Sequence, residues 1–136
     1  MDRKNKKILD ILRKDSHLST HNIPKKTRIP ITTVHNRIKR MEKDGVIKGY
    51  SVVLDNEKVG KPLAAYVLIT VDYKFLRENK STQEELASRL SHMELVEETA
   101  MVTGGSDIVI KIRTSGVKQL NEFVTRTLRH IDAIEK

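Results

Sequence analysis

The sequence predicts an α+β chain in two parts, and three observations carry that expectation. Charge is unevenly divided: residues 1–50 hold 14 Lys or Arg against 5 Asp or Glu, whereas the remaining 86 residues hold 12 against 13. Apolar residues recur at helical spacing up to residue 45, but beyond residue 62 β-branched runs alternate with amphipathic helices. Between the two parts lies NEKVGK at 56–61, polar and glycine-containing as a linker is. The division expected is residues 1–50, a connecting stretch at 51–61, and a second domain at 62–136.

In the first part, Ile8, Ile11 and Leu12 mark one face of a helix within residues 1–14, with Asp2 as its N-cap. Ser19 is placed to cap a second short helix running through Lys26. Pro24 argues for a late start to it, because a proline beyond the first turn removes a helical hydrogen bond. Pro30 opens the third helix, where its fixed φ suits the first turn. At 100° per residue, Ile31, Val34, Ile38 and Met41 fall within about 80° of one another and form a stripe to be buried. The opposite arc carries Thr32, Thr33, Asn36, Lys39, Arg40 and Lys43, with His35 and Arg37 at its margins. Gly45 ends the helix as a C′ glycine, and VIKGYSVVLD at 46–55 has the β-branched and aromatic content of a strand or two-stranded ribbon.

In the second part, LAAYVLITVDY at 63–73 is apolar on both faces, as a central strand is. STQEELASRLSHM at 81–93 starts with a capping box, Ser81 with Glu84, and sets Leu86, Leu90 and Met93 on one face. LVEETAMVT at 95–103 and DIVIKIR at 107–113 flank Gly104-Gly105-Ser106 and read as a hairpin. Val117, Leu120, Val124, Leu128 and Ile131 define a last helix. The order is βαββα, ferredoxin-like with its closing strand absent, since the chain stops at IEK.

Several functions are excluded or disfavoured. There is no cysteine, so disulfides, zinc-thiolate sites and thiol nucleophiles are ruled out. The longest uncharged apolar run, at 63–71, falls short of the roughly 20 residues a spanning helix needs. Asp10 interrupts any signal-peptide core, and a cytoplasmic protein with no membrane partner is expected. Histidines at 17, 21, 35, 92 and 130 are scattered, without a metalloprotease motif, a phosphate-cradling loop or a nucleophile elbow. No enzyme, metal or cofactor is expected.

Three short helices with the basic one last, followed by a ribbon, make a winged helix-turn-helix. In that module the third helix enters the major groove and the ribbon meets phosphates. A basic helix face alone is commonly no more than solvated; the helix order and the charge asymmetry together favour double-stranded DNA. Asn36 suits bidentate pairing with adenine, Arg40 with guanine, and the Thr32 and Thr33 methyls contact with thymine. His35 suits a rim contact, while Arg37 stands near enough to the stripe either to brace the first helix or to touch DNA. An RNA-binding protein is the alternative, but aromatics are 4% of the chain and none lies in 95–103 or 107–113 to stack bases. A ligand-sensing module acting through a protein partner is another, and the basic first part speaks against it.

KILDIL at 7–12, TTVHNRIKRMEKDGVIKGYSVVLD at 32–55, the glycine of KVG at 58–60 and TGGSDIVIKI at 103–112 together resemble the Lrp/AsnC (feast/famine) family of transcriptional regulators. The resemblance runs over nearly the whole chain and is most specific from Val34 to Tyr50. It implies a winged helix-turn-helix, a hinge strand, and an effector domain that dimerises through its sheets and often assembles further. It also implies an amino-acid effector at the turn Thr103, Gly104, Gly105, Ser106 and Asp107. There backbone N–H groups can approach a carboxylate and Asp107 can hold an α-ammonium, whereas on the residues alone Gly104-Gly105 simply makes a tight hairpin. A sequence-specific regulator reading a pseudo-palindromic operator as a homodimer follows. Pro30 stands where the family commonly has a capping serine, Pro24 where it has a small residue, and Ser106 where it often has tyrosine.

Overall fold

Helix α1 (Arg3–Lys14) starts where expected, with Asp2 accepting from the Lys4 N–H at 2.7 Å. The computed structural model describes residues 2–17 and 22–136, and at 22, 23 and 26 the backbone alone. Helix α2 (Asn22–Thr27) begins late, so that Pro24 falls in its first turn, where N–H groups have no intrahelical partner. The expected cap Ser19 lies outside the described residues. Helix α3 (Ile31–Lys43) corrects the place of Pro30, which is its N-cap and not its first residue. The ring fixes φ but leaves ψ extended at 143°, so proline enters the helix only through its carbonyl, which accepts from the Val34 N–H at 3.0 Å. Gly45, at φ +78°, ends α3 by donating to the Glu42 carbonyl, while the Ile47 N–H reaches the Met41 carbonyl.

Ile8, Ile29, Val34 and Met41 form the core of these helices, with Leu12 and Ile38 packed against it. Ile31, expected in the buried stripe, is 37% exposed. It stands at the first position of α3, and Ile29, two residues earlier, takes the inner place. The strand or ribbon expected at 46–55 forms no ladder among the described residues, and Val52 and Val53 are exposed. Their composition favours an extended backbone, but a strand also needs a neighbour for its N–H and C=O groups, and the described residues supply none here.

The chain divides into two units, residues 1–53 and 54–136. The second is built on a three-stranded antiparallel sheet in the order β1-β3-β2. Strand β1 (Leu63–Ile69) pairs with β3 (Ile108–Thr114) from Leu63 opposite Thr114 to Ile69 opposite Ile108. Strand β2 (Val96–Met101) pairs on the other side of β3, with a bulge between Val96 and Glu98. The central strand is therefore β3, with Ile108, Ile110 and Ile112 wholly buried. The placement of 63–73 as central is corrected: only Leu63–Ile69 is strand, it has β3 on one side, and Tyr66 and Leu68 on its outward face are exposed.

A short helix α4 (Tyr73–Glu78), capped by Asp72, precedes α5 (Gln83–Ser91). The capping box of α5 is displaced by one residue: Thr82 accepts from the Glu85 N–H at 3.1 Å, and the Ser81 hydroxyl donates to the Glu85 carboxylate. The Ser81 N–H is drawn back to the Leu76 carbonyl at 2.8 Å, which leaves Thr82 to take the extended capping conformation. Helix α6 (Val117–Glu122) runs on through a wider π turn, Phe123–Thr127, and a 3₁₀ turn, Leu128–His130. Phe123 is buried although the helical stripe omitted it, and Val117, which the stripe included, is exposed. Beside the end of β1, Val71 bridges Ile134, and the Thr70 N–H donates to the Lys136 carbonyl at 2.8 Å, a short antiparallel pairing. Among the described residues no helix is long and apolar enough to cross a membrane.

Candidate nucleic-acid interface

Helix α3 carries all eight side chains that the sequence assigns to DNA, and its packing sorts them. Val34 and Met41 hold the helix to its core, so Thr32, His35, Asn36, Lys39, Arg40 and Lys43 are exposed, while Thr33 and Arg37 are half-buried. The Arg40 side chain is 82% exposed and, among the described residues, pairs with Asp44, the C-cap of α3, at 3.8 Å, the loose geometry of a surface pair. Arg37 is engaged: its Nη1 meets Asp2 Oδ2 at 2.7 Å and donates to Asn5 Oδ1 at 3.3 Å, so it braces α1. Asp2, Asn5, Thr33, Asn36, Arg37 and Arg40 border an open groove of about 520 Å³.

The N-terminus of α3 adds to this surface. Pro30 has no side chain able to cap, and the first turn holds no acidic residue, so among the described residues no side chain caps the leading N–H groups, and the positive end of the helix dipole favours an anion. At the other end the Tyr50 hydroxyl donates to Glu42 Oε1 at 3.4 Å, which ties the chain after Gly45 back to α3. Partial burial raises the Tyr50 phenol above its ordinary value, and the neighbouring Glu42 charge adds to that.

The Thr103–Asp107 turn joins β2 to β3 with Gly104 at φ +114°, a conformation that favours glycine. Thr103, Gly104 and Gly105 are exposed, and Ser106 and Asp107 half-buried. The Asp107 carboxylate is held by the chain's own donors, the Val71 N–H at 2.8 Å and the Tyr73 hydroxyl at 2.9 Å. Gln83 Nε2 donates to the Asp107 carbonyl at 3.0 Å. The hydrogen bond to Asp107 raises the Tyr73 phenol above its ordinary value. An α-ammonium at Asp107 would use the lone pairs these bonds leave over. Tyr73 and Gln83 were not singled out in the sequence, because nothing local ties residues 34 and 24 positions away to Asp107.

Residues 1–48 match a family model described as winged helix-turn-helix DNA-binding, and residues 64–136 match one described as the Lrp/AsnC ligand-binding domain. The HTH-type transcriptional regulator FL11 of Pyrococcus furiosus is 36% identical over 124 residues, covering 91% of this chain and 78% of the relative. Among solved structures, an AsnC family transcriptional regulator from Agrobacterium tumefaciens is 28% identical with a TM-score of 0.80, covering all of this chain and 86% of that one. A transcriptional regulator from Neisseria meningitidis, solved as its L-Met complex, superposes with a TM-score of 0.85 at 20% identity, over all of this chain and 85% of that one.

Proposed function

The chain belongs to the Lrp/AsnC family of DNA-binding transcriptional regulators, and from that premise we propose how its residues work. Helix α3 reads bases with Thr32, Thr33, Asn36 and Arg40, while His35, Lys39 and Lys43 line the rim and the phosphates and Arg37 braces α1. One observation carries this reading. The apolar stripe turns α3 so that Asn36 and Arg40 project together into one open groove.

We infer further that the working form is a homodimer, divided as residues 1–50 for DNA, 51–61 as hinge and 62–136 for assembly and sensing. Tyr66 and Leu68 on the outward sheet face, and Val52 and Val53 in the connecting stretch, are large apolar groups in water, and a second copy would cover them. Two recognition helices then read half-sites about 34 Å apart in a pseudo-palindrome. The Thr103–Asp107 turn receives a small amino acid, its carboxylate at the Gly104-Gly105 backbone. The complex of the Neisseria relative with L-Met supports that class of effector. Regulation of transcription makes the cytoplasm its place of action.

Selection of bound sites from a random duplex pool tests the core of this reading, and an enriched palindrome is the expected result. Against that site, Arg40→Ala is expected to relax base preference, whereas Lys43→Ala weakens specific and random duplexes alike and lowers the salt slope by about one. Equal losses on both duplexes for the Arg40 variant would remove it from base reading. An amino-acid screen followed by hydrogen exchange checks the sensor turn, with protection expected at 103–107.

A further inference from the structure

Asp2 divides its two carboxylate oxygens between two tasks. Oδ1 caps α1 by accepting from the Lys4 N–H at 2.7 Å, and Oδ2 pairs at 2.7 Å with Arg37 of α3. Asn5, one turn along α1, accepts from the same Arg37 nitrogen at 3.3 Å. The hydrogen bond from Arg37, with that from Lys4 second, holds the Asp2 carboxyl below its ordinary range. This clamp sits on the border of the groove that contains Asn36 and Arg40. Of the cations on α3, Lys39, Arg40 and Lys43 are exposed and Arg37 is matched to a carboxylate.

The matching has a consequence for binding. A cation contributes to DNA affinity by neutralising a phosphate and releasing its counterion, and it does so equally for every sequence. A guanidinium already neutralised by a fixed carboxylate releases little, and the carboxylate itself repels an approaching phosphate. We propose that Asp2 is a positioning residue that withholds Arg37 from the DNA backbone, and so limits the sequence-independent part of duplex affinity while leaving base reading to Asn36 and Arg40. This rests on the reading of α3 as the DNA-facing helix.

Asp2→Asn tests it, because asparagine caps a helix as well as aspartate does and thus removes the charge but keeps α1. Thermal melting of the free protein checks that the variant is folded. Affinity for the enriched site and for a random duplex is then measured across a range of salt. Both affinities are expected to rise by the same factor at low salt, and the slope of log affinity against log salt to steepen by about one. In an Arg37→Gln background the steepening should vanish. An unchanged slope, a loss of affinity, a shift in base preference, or steepening that persists without Arg37 would each overturn the proposal. If the native chain binds no duplex, the α3 reading falls with it; if the native chain binds with a normal salt slope and Asp2→Asn leaves that slope alone, this proposal alone fails.

Discussion

Among the described residues, the 1–53 unit buries four hydrophobic side chains in its core, whereas the 54–136 unit buries twelve. The smaller unit also holds the excess of positive charge, so it has less apolar burial with which to oppose its own repulsion. The larger unit has a nearly balanced charge and a sheet whose central strand is covered at every inward position. A surface kept basic for a polyanion is compatible with a small core only if the few buried residues are indispensable and some charges are paired within the unit, as Arg37 is with Asp2.

The sharpest way to break this contrast is the same deletion in each core. Ile8 and Ile110 are both wholly buried, and replacing either with alanine is expected to cost about 2–5 kcal/mol. In a unit of some 50 residues that loss is comparable to the whole stability. Ile8→Ala should therefore unfold the first unit, while Ile110→Ala only lowers the denaturation midpoint of the second. Tyr50 reports on one unit and Tyr66 on the other, so NMR during urea titration separates them; a first unit that stays folded with Ile8→Ala would erase the difference.

A smaller effect compares the aspartates that tie distant elements together. Asp107→Ala leaves the N–H of the buried Val71 without an acceptor and should destabilise the second unit by about 1–3 kcal/mol. It should also let the Tyr73 phenol titrate nearer its ordinary value. The sign follows from the raised phenol: the bond to Asp107 needs the proton, so its contribution is complete below the ordinary tyrosine pKa and is lost as pH rises through the raised one. Absorbance titration of the native chain and the variant measures the displacement.

The smallest effect belongs to Asp2, whose carboxyl is held low in the folded state. Its contribution is complete above the ordinary carboxylate value and is lost as pH falls through the lowered one, the opposite sense to Tyr73. Melting of the native chain and of Asp2→Asn should converge at acid pH and separate slightly at neutral pH. Equal melting temperatures at every pH would mean that the exposed pair contributes nothing to folding.

Much of the candidate interface was legible locally. Asp2 as a cap, the α3 face, Gly45 and the 103–107 turn all follow from residue type and spacing within a few positions. The role of Arg37 was left open by the sequence because its partner lies 35 residues away, and spacing carries no information on such a pair. Tyr73 and Gln83 escaped notice for the same reason. Even the shifted capping box arose outside the motif, from the bond that draws Ser81 back to Leu76.

The two-part organisation, the helices other than α4, the hairpin and the one-sided basic charge follow from the sequence, because each is a property of short-range geometry and composition. Only the tertiary structure shows that β3 and not β1 is central, that Ile31 faces water, that 46–55 forms no ladder among the described residues, and that Arg37 is clamped. An apolar strand reads the same whether its second face is covered or open, and a cation the same whether free or paired. Such questions are answered only when distant segments meet.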